Sequence, residues 1–499
     1  MANRGRVGWV VALLGPAASA ATIQVGPGQK IGDAVSSAAP GDVIVVAPGT
    51  YPESLSLTGS GTAGAPITIS ATGAVLAGTI TLDGDHWRIE GLAITPGPGV
   101  DAVRVKGSFN RLQKLEISGG TRDGIDGGGT GNQVLDSTIH DLDAGTSDAH
   151  CIVLNPGASD WVISGNTLYD CSGDGVQLYS SGPERSIKNV QILGNTMYYS
   201  GAIGRMENAV DVKNADGLVI ANNRMYGFTQ NKTLVFQKGP ANIEVRCNVM
   251  SDGFTGVEFR AEDGGTLEKV KFVRNSMVDF TSYALKFDDV YEGQVYNNTF
   301  VSIASDGLRI EGGGLHSGEI KNNLWAHTGT VKASQASADY NGFFNANNQL
   351  AGAHDVTADP LLDSQRRLAL SSPMIDAGTD VGLPFFGAAP DIGAFETGGA
   401  DPCMTSAVGG SGGAGGGAAG TGAVGGSGAT GSGATGSGAT GSGATGSGAT
   451  GSGATGSGTT GGDDGGCGCR AAGVPSSPRS GWLVGALLAL ACVRRRQLP

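Results

Sequence analysis

The chain has 499 residues, 88 of them glycine, and a formal net charge of −13. That acidity argues against nucleic acid as a general partner, because a polyanion would need a local basic patch. Seven scattered cysteines are too few for a disulfide framework in so long a chain, and neither Cys-x-x-Cys nor His-Glu-x-x-His occurs to suggest zinc.

Residues 1–21 read as a secretory signal. Arg4 and Arg6 precede the apolar stretch VGWVVALLG, and Ala18-Ser19-Ala20 offers a small-x-small cleavage site. A buried N-terminal helix is the other reading, and it fits these flanks less well. Residues 22–60 read as an N-terminal cap, with IGDAVSSAA helix-compatible, Pro40-Gly41-Asp42 a turn, and VIVVAP and GTYPESLSL strands. A solenoid end has to be covered, since open strand edges invite aggregation.

From about Pro66 to His327 the chain repeats. Asn166, Asn195, Asn223, Asn248, Asn275, Asn298 and Asn323 recur every 23 to 29 residues in similar phrases, such as WVISGNTLYD and LVIANNRMYG. A second alternating run, such as DGVQLY or ENAVDVK, lies between them. A period of this length holding several short strands predicts a solenoid of about 10–12 coils. Leu92, Leu115 and Ser137 take the asparagine's place in three earlier coils.

Each coil parses into three strands. Steps such as Asp123-Gly124, Asp174-Gly175 and Asp306-Gly307 turn into the first. There Val176, Leu178, Val210 and Val212 face inward, and Gln177, Tyr179, Asp211 and Lys213 outward. The asparagines fall at the turn between the second and third strands, where side chains stacked ~4.8 Å apart can hydrogen-bond from coil to coil. They are predicted to be scaffold.

Residues 338–396 read as a C-terminal cap. Residues 398–466 are almost only Gly, Ser, Ala and Thr, predicting a flexible linker. Residues 467–499 hold Cys467-Gly468-Cys469, the run GWLVGALLALACV and Arg494-Arg495-Arg496; the run is shorter than the ~20 residues of a spanning helix. Cys151 and Cys171 are read as unpaired, a disulfide across neighbouring coils being the lesser alternative. Cys247 is expected to be a buried free thiol or packing residue.

The phrase AAPGDVIVVAPGTY, followed by GTAGAPITISA, resembles the opening of secreted right-handed parallel β-helix proteins, among them the chondroitinase B and alginate lyase family of polysaccharide lyases. Residues 338–396 resemble the closing segment of β-helix surface proteins. The implied fold class is all-β, a single-stranded right-handed parallel β-helix of pectate-lyase-like type with caps, spanning 22–397. The order of small-residue spacer, Cys, short apolar run and Arg cluster resembles the C-terminal sorting signal of myxobacterial surface proteins. It implies processing near Cys467 or Cys469 and anchoring to the envelope; a plain tail anchor is the alternative. Either reading places the body outside the cytoplasm, at the cell surface.

Aligned by repeat, the first strands give two outward columns: Arg104, Asp126, Val153, Gln177, Asp211, Val235, Glu258, Lys286, Arg309, and Lys106, Gly128, Asn155, Tyr179, Lys213, Gln237, Arg260, Asp288, Glu311. Such a face suits an extended polymer. Uronate lyases need a base for the proton beside a carboxylate and a cation to neutralise that carboxylate. Lys213 is the candidate base, its pKa lowered by a neighbouring cation, with Arg260 as its catalytic partner. Tyr179, Gln177, Gln237 and Lys238 are candidate substrate contacts; Asp211, Glu258 and Asp126 are candidate calcium ligands. The stretch DVKNADGLVIANNRMYG…TLVFQKGPANIEVRCN is similar to the catalytic stretch of the chondroitinase B family, and Lys213 matches that family's Brønsted-base lysine. Gln237-Lys238-Gly239 stands where the family has Arg-His-Gly, and its calcium-binding acidic pair has no counterpart.

The alternative is a set of solvated surface pairs worth under ~1 kcal/mol each. Tyr198 and Tyr199 are either sugar-stacking or packing aromatics, and His150, near Asp148 and Asp174, is expected to make local turn hydrogen bonds. Asp211 and Glu258, two coils or ~10 Å apart, are slightly far apart even for an inverting pair, which leaves hydrolysis as the lesser alternative to β-elimination. The expected function is binding or cleavage of an acidic polysaccharide by a monomeric surface protein; the alternative is a non-catalytic glycan-binding or structural one.

Overall fold

The computed structural model describes residues 20–182, 184–400 and 402–403. The predicted export segment apart from its last two residues, nearly all of the linker and the segment 467–499 lie outside them. No helix among the described residues is long and apolar enough to cross a membrane.

The chain winds as a right-handed parallel β-helix, and strands of successive coils pair in three parallel stacks. One coil shows the pattern: Val210–Lys213 lies in the first stack, Ala215–Ala221 in the second and Arg224–Tyr226 in the third. Each pairs one coil on, with Lys232–Gln237, Ala241–Arg246 and Val249–Gly253. Alternate residues point inward, so the core is itself laddered; Phe236, Phe259 and Phe287 stack with centroids 4.4 and 5.2 Å apart.

The coils extend beyond both predicted boundaries. Thr22–Val25 already pairs with Val43–Val46, and that strand with Ile67–Ser70, so the expected N-terminal cap is itself coiled. Within it the helix Ile31–Ser37 buries Ile31 and Ala34. At the other end Ala336–Asp339 and Gly342–Asn348 continue the second and third stacks past His327.

The asparagines form the expected internal ladder. Asn195 Oδ1 accepts from Asn166 N and Nδ2 at 2.9 and 3.0 Å, while Asn195 Nδ2 donates to Ile163 O and to Asn223 Oδ1. Ser137 and Asn341 extend the ladder at its two ends. The residue before each ladder position holds a left-handed conformation, with φ of 58° at Asn222, 57° at Cys247, 54° at Arg274, 50° at Asn297 and 58° at Asn322. This bend carries the chain from second strand to third.

Those left-handed residues also bind the end of the folded body. Asn322 exchanges hydrogen bonds with the Thr379 backbone at 2.8 and 2.9 Å, Asn297 Nδ2 donates to Asp391 O at 3.0 Å, and Arg274 pairs with Glu396 at 3.1 Å. Cys247 closes the series through a disulfide to Cys403, with Cα atoms 5.6 Å apart. Cys247 is therefore not the free thiol expected from sequence. Its turn position meets a strap that returns along the coils from 156 residues away. Cys151 and Cys171 are also bonded, between neighbouring coils, and not unpaired as read from sequence.

Candidate functional site

The strand register reproduces the first outward column in full and the second from Lys213 onward. Arg104 pairs with Asp126, Asp126 with Val153, Val153 with Gln177, and Gln177 with Asp211; Val235, Glu258, Lys286 and Arg309 continue the row. Lys213, Gln237, Arg260, Asp288 and Glu311 form the parallel row. Although these side chains point away from the core, Gln177, Asp211, Gln237 and Glu258 are buried among their neighbours.

At the centre Asp211 Oδ2 lies 3.0 Å from Lys213 Nζ, and Asp211 Oδ1 accepts from Gln237 Nε2 at 2.6 Å. Gln237 Oε1 accepts in turn from Arg260 Nη2 at 2.6 Å, and Arg260 Nε lies 2.9 Å from Glu262. Tyr179 is 39% exposed, with Lys213 Nζ 6.0 Å from its ring centroid. This places an apolar ring beside a cation at the open edge of the row.

Burial and the nearby Asp174 push the Asp211 carboxyl above its ordinary value, against Lys213 and the Gln237 hydrogen bond. Burial works against the Lys213 ammonium, but Asp211, Asp174 and Glu207 outweigh it and hold the ammonium above its ordinary value. The sequence expectation of a lowered Lys213 pKa is thus reversed. Arg260, the cation meant to lower it, is engaged by Gln237 and Glu262, while carboxylates surround Lys213.

Not every candidate joins this centre. Lys238 takes a left-handed conformation, φ 72°, and its amine pairs with the exposed Asp263 at 3.2 Å, leaving the groove. Glu258 lies two coils from Asp211, clasped by Lys286 at 2.9 Å and Lys232 at 3.2 Å. Burial would raise its carboxyl, yet the two lysines hold it below its ordinary value. Asp126 accepts from Arg104 Nε at 3.0 Å and from Asn155. Asp211, Glu258 and Asp126 therefore do not fit a calcium site, since each is matched with its own cation or amide and they share no common point. Among the described residues no group of three His, Cys, Asp or Glu side chains is arranged for a metal.

Tyr198 belongs to a stack of His140, Tyr169, Tyr198 and Tyr226 on the third-stack face, with rings 4.7, 4.7 and 5.0 Å apart. The Tyr199 hydroxyl donates to Ile203 O at 2.7 Å. Neither contributes to the Lys213 centre.

Sequence reasoning missed Asp174, Asn208 and Glu207 as members of the site. Asp174 is fully buried; it accepts from Gln177 Nε2 at 3.0 Å and from Asn208 Nδ2 at 2.8 Å, and its backbone N–H donates to His150 Nδ1 at 2.8 Å. Burial, with Asp174 and Asp148, pushes the Glu207 carboxyl up. Two excursions flank this part of the face. One follows Leu178 and is tied across the coils by Arg185, which donates to Gly239 O at 2.6 Å and Thr266 O at 3.0 Å. The other, between Tyr198 and Val210, is held by Arg205 donating to Ser172 O at 2.9 Å. The available signal was the spacing of 29 and 28 residues between Asn166, Asn195 and Asn223, longer than in the later coils.

A separate concavity of about 650 Å³ runs along the second stack, past Gln191, Val219, Glu244 and Lys271. None of its polar lining residues is buried, whereas Asp211 is buried against Lys213, so the first-stack face is the stronger candidate.

A family model described as right handed beta helix region matches residues 78–204 and 184–348. Among solved structures, the alginate lyase AlyF-OU02 in complex with G6 gives a TM-score of 0.54 at 12% identity, covering 71% of this chain and 92% of that one. Pectate lyase Pel9A gives 0.43 at 19% identity, covering 76% and 97%. PfbA, a surface adhesin of Streptococcus pneumoniae, gives 0.46 at 10% identity, covering 64% and 84%. At these identities the likeness concerns the fold alone. No curated protein matches in sequence.

Proposed function

Since the chain belongs to the right-handed beta helix family, we propose that its first-stack face binds a polysaccharide laid along the solenoid axis and acts on it at Asp211 and Lys213. The observation that carries this reading is the buried Asp211 carboxyl, 3.0 Å from Lys213, on a row wired through Gln237 to Arg260 beside the exposed Tyr179. A titratable group displaced by burial and held against a specific charge partner is the pattern of a working site. The shared fold of an enzyme named as an alginate lyase supports a polysaccharide as the ligand class.

The roles differ from those implied by resemblance. Lys213, held protonated, is the cation that neutralises a uronate carboxylate and acidifies the adjacent C–H. Asp211 in its ionised form takes that proton, its raised pKa making it a stronger base than an ordinary aspartate. The electron pair forms a carbon–carbon double bond as the glycosidic C–O bond breaks, and the departing oxygen takes a proton from solvent. Tyr179 offers a ring face to the sugar. Display outside the cytoplasm through the export and sorting segments belongs to the same proposal.

Incubating the full chain with polygalacturonate, alginate and chondroitin sulfate tests it. Unsaturated uronate ends that disappear in Lys213→Met support it. A second reading, glycan binding without chemistry, is favoured by the pairing of Lys213 and Arg260 with carboxylates. It is supported by retained binding with no unsaturated product.

A further inference from the structure

Four coils before Asp211, the same outward row carries a second cluster. The Asp101 carboxylate is buried, with 3% of its side chain exposed, yet it serves two arginines at once. Its Oδ1 accepts from Arg122 Nε at 2.9 Å and its Oδ2 from Arg104 Nη2. Arg104 is further fixed by Asp126 at 3.0 Å. Both arginine side chains remain about half exposed, at 48% and 51%. They border a concavity of about 220 Å³ together with Thr79, Thr81 and Gly99.

Two features set this cluster apart from a surface ion pair. A single buried carboxylate holds two planar cations side by side, removing most of the rotamer freedom that an arginine loses on binding a ligand. The Nη groups of Arg122 make no hydrogen bond among the described residues, so that guanidinium retains a pair of directed donors. Such a fork matches a carboxylate in bidentate geometry, which a lysine cannot do.

We propose that Arg104 and Arg122, clasped by Asp101, form a remote subsite for a carboxylate group of an anionic polysaccharide. The inference rests on the reading of the first-stack face as the binding face for a uronate-containing polysaccharide and adds a contact remote from the reacting residues. From Arg104 to Asp211 the register takes four steps, through Asp126, Val153 and Gln177, or about 19 Å at ~4.8 Å per step. One extended chain therefore engages both sites only if it is long enough, and the subsite adds affinity for long oligomers alone. Its half-exposed cations also make that added affinity weaken as salt is raised.

The test uses the full chain, oligogalacturonates of increasing length, and free galacturonate. Arg122→Gln leaves Asp101 paired with Arg104, and Arg122→Lys restores the charge without the fork. Calorimetry is expected to show binding of spanning oligomers weakened roughly tenfold in Arg122→Gln, with partial recovery in Arg122→Lys and unchanged binding of short oligomers. Equal binding of long oligomers by parent and both variants overturns the subsite. If no oligomer binds the parent, the groove reading fails, and saturation-transfer NMR with galacturonate then decides the subsite alone. A signal in the parent that Arg122→Gln loses supports it, and no signal in the parent overturns it.

Discussion

The Asp211 carboxylate and the Lys213 ammonium, two residues apart on one strand, meet at 3.0 Å on the outer face of the solenoid. Strand alternation puts both side chains on the same side, and burial together with Asp174 raises the Asp211 carboxyl despite this contact. An acid whose folded-state pKa is raised favours the fold in its protonated form. Its contribution is full below the unfolded pKa and is lost as pH rises through the folded value.

Asp211→Asn fixes the uncharged form. At neutral pH the variant is expected to melt at the same temperature as the parent or above it, and to lose less stability between mildly acid and neutral pH. Differential scanning calorimetry across that range checks this. A lower melting temperature at neutral pH would mean that the Asp211–Lys213 attraction outweighs the cost of burial.

Lys213→Met removes the main cation opposing that upward shift. The carboxyl of Asp211 should rise further, so any residual turnover has its acid limb displaced to higher pH, and turnover falls by well over tenfold. A pH–rate profile with an unmoved acid limb would exclude Asp211 as the group that titrates.

Asn248→Ala breaks the ladder at its middle. It removes the acceptor used by Asn223 N and Nδ2 at 3.0 and 2.9 Å, and the donor to Ile220 O. Leaving these buried groups unpaired is expected to cost about 2–4 kcal/mol, read as a lower midpoint in urea unfolding. Binding at the first-stack face should persist under folding conditions, because the ladder turns lie between the second and third stacks.

Cys403→Ser releases the strap that Cys247 holds against the coils. Losing a crosslink that closes a long loop is expected to cost about 2–4 kcal/mol. Limited proteolysis should then cut within residues 372–403 before it cuts the coils. Simultaneous loss of the strands by circular dichroism would show instead that the strap is integral to the whole body.

Much of this was legible in the sequence because a solenoid converts order along the chain into order in space. Alternation assigned Asp211 and Lys213 to the outside, and the asparagine period aligned Gln177, Asp211 and Glu258 into one row, as the register has it. What escaped depends on contacts that no repeat encodes. Asp174 reads as half of a turn step, yet its fully buried carboxylate adds to the burial that raises Asp211 and to the pull of Asp211 that raises Lys213. Cys247 reads as an isolated thiol because its partner lies 156 residues further on, in a segment that turns back along the coils. Lys238 looks like a continuation of the strand until its left-handed backbone turns it toward Asp263.

The account rests on Asp211 acting on a polysaccharide held across this face. Its most direct test is the formation of unsaturated uronate ends from polygalacturonate or alginate by the full chain, followed in parallel with Asp211→Asn. The account predicts product from the parent, and none from a variant that stays folded and binds the polymer as the parent does. Product from Asp211→Asn at the parent's rate would contradict it.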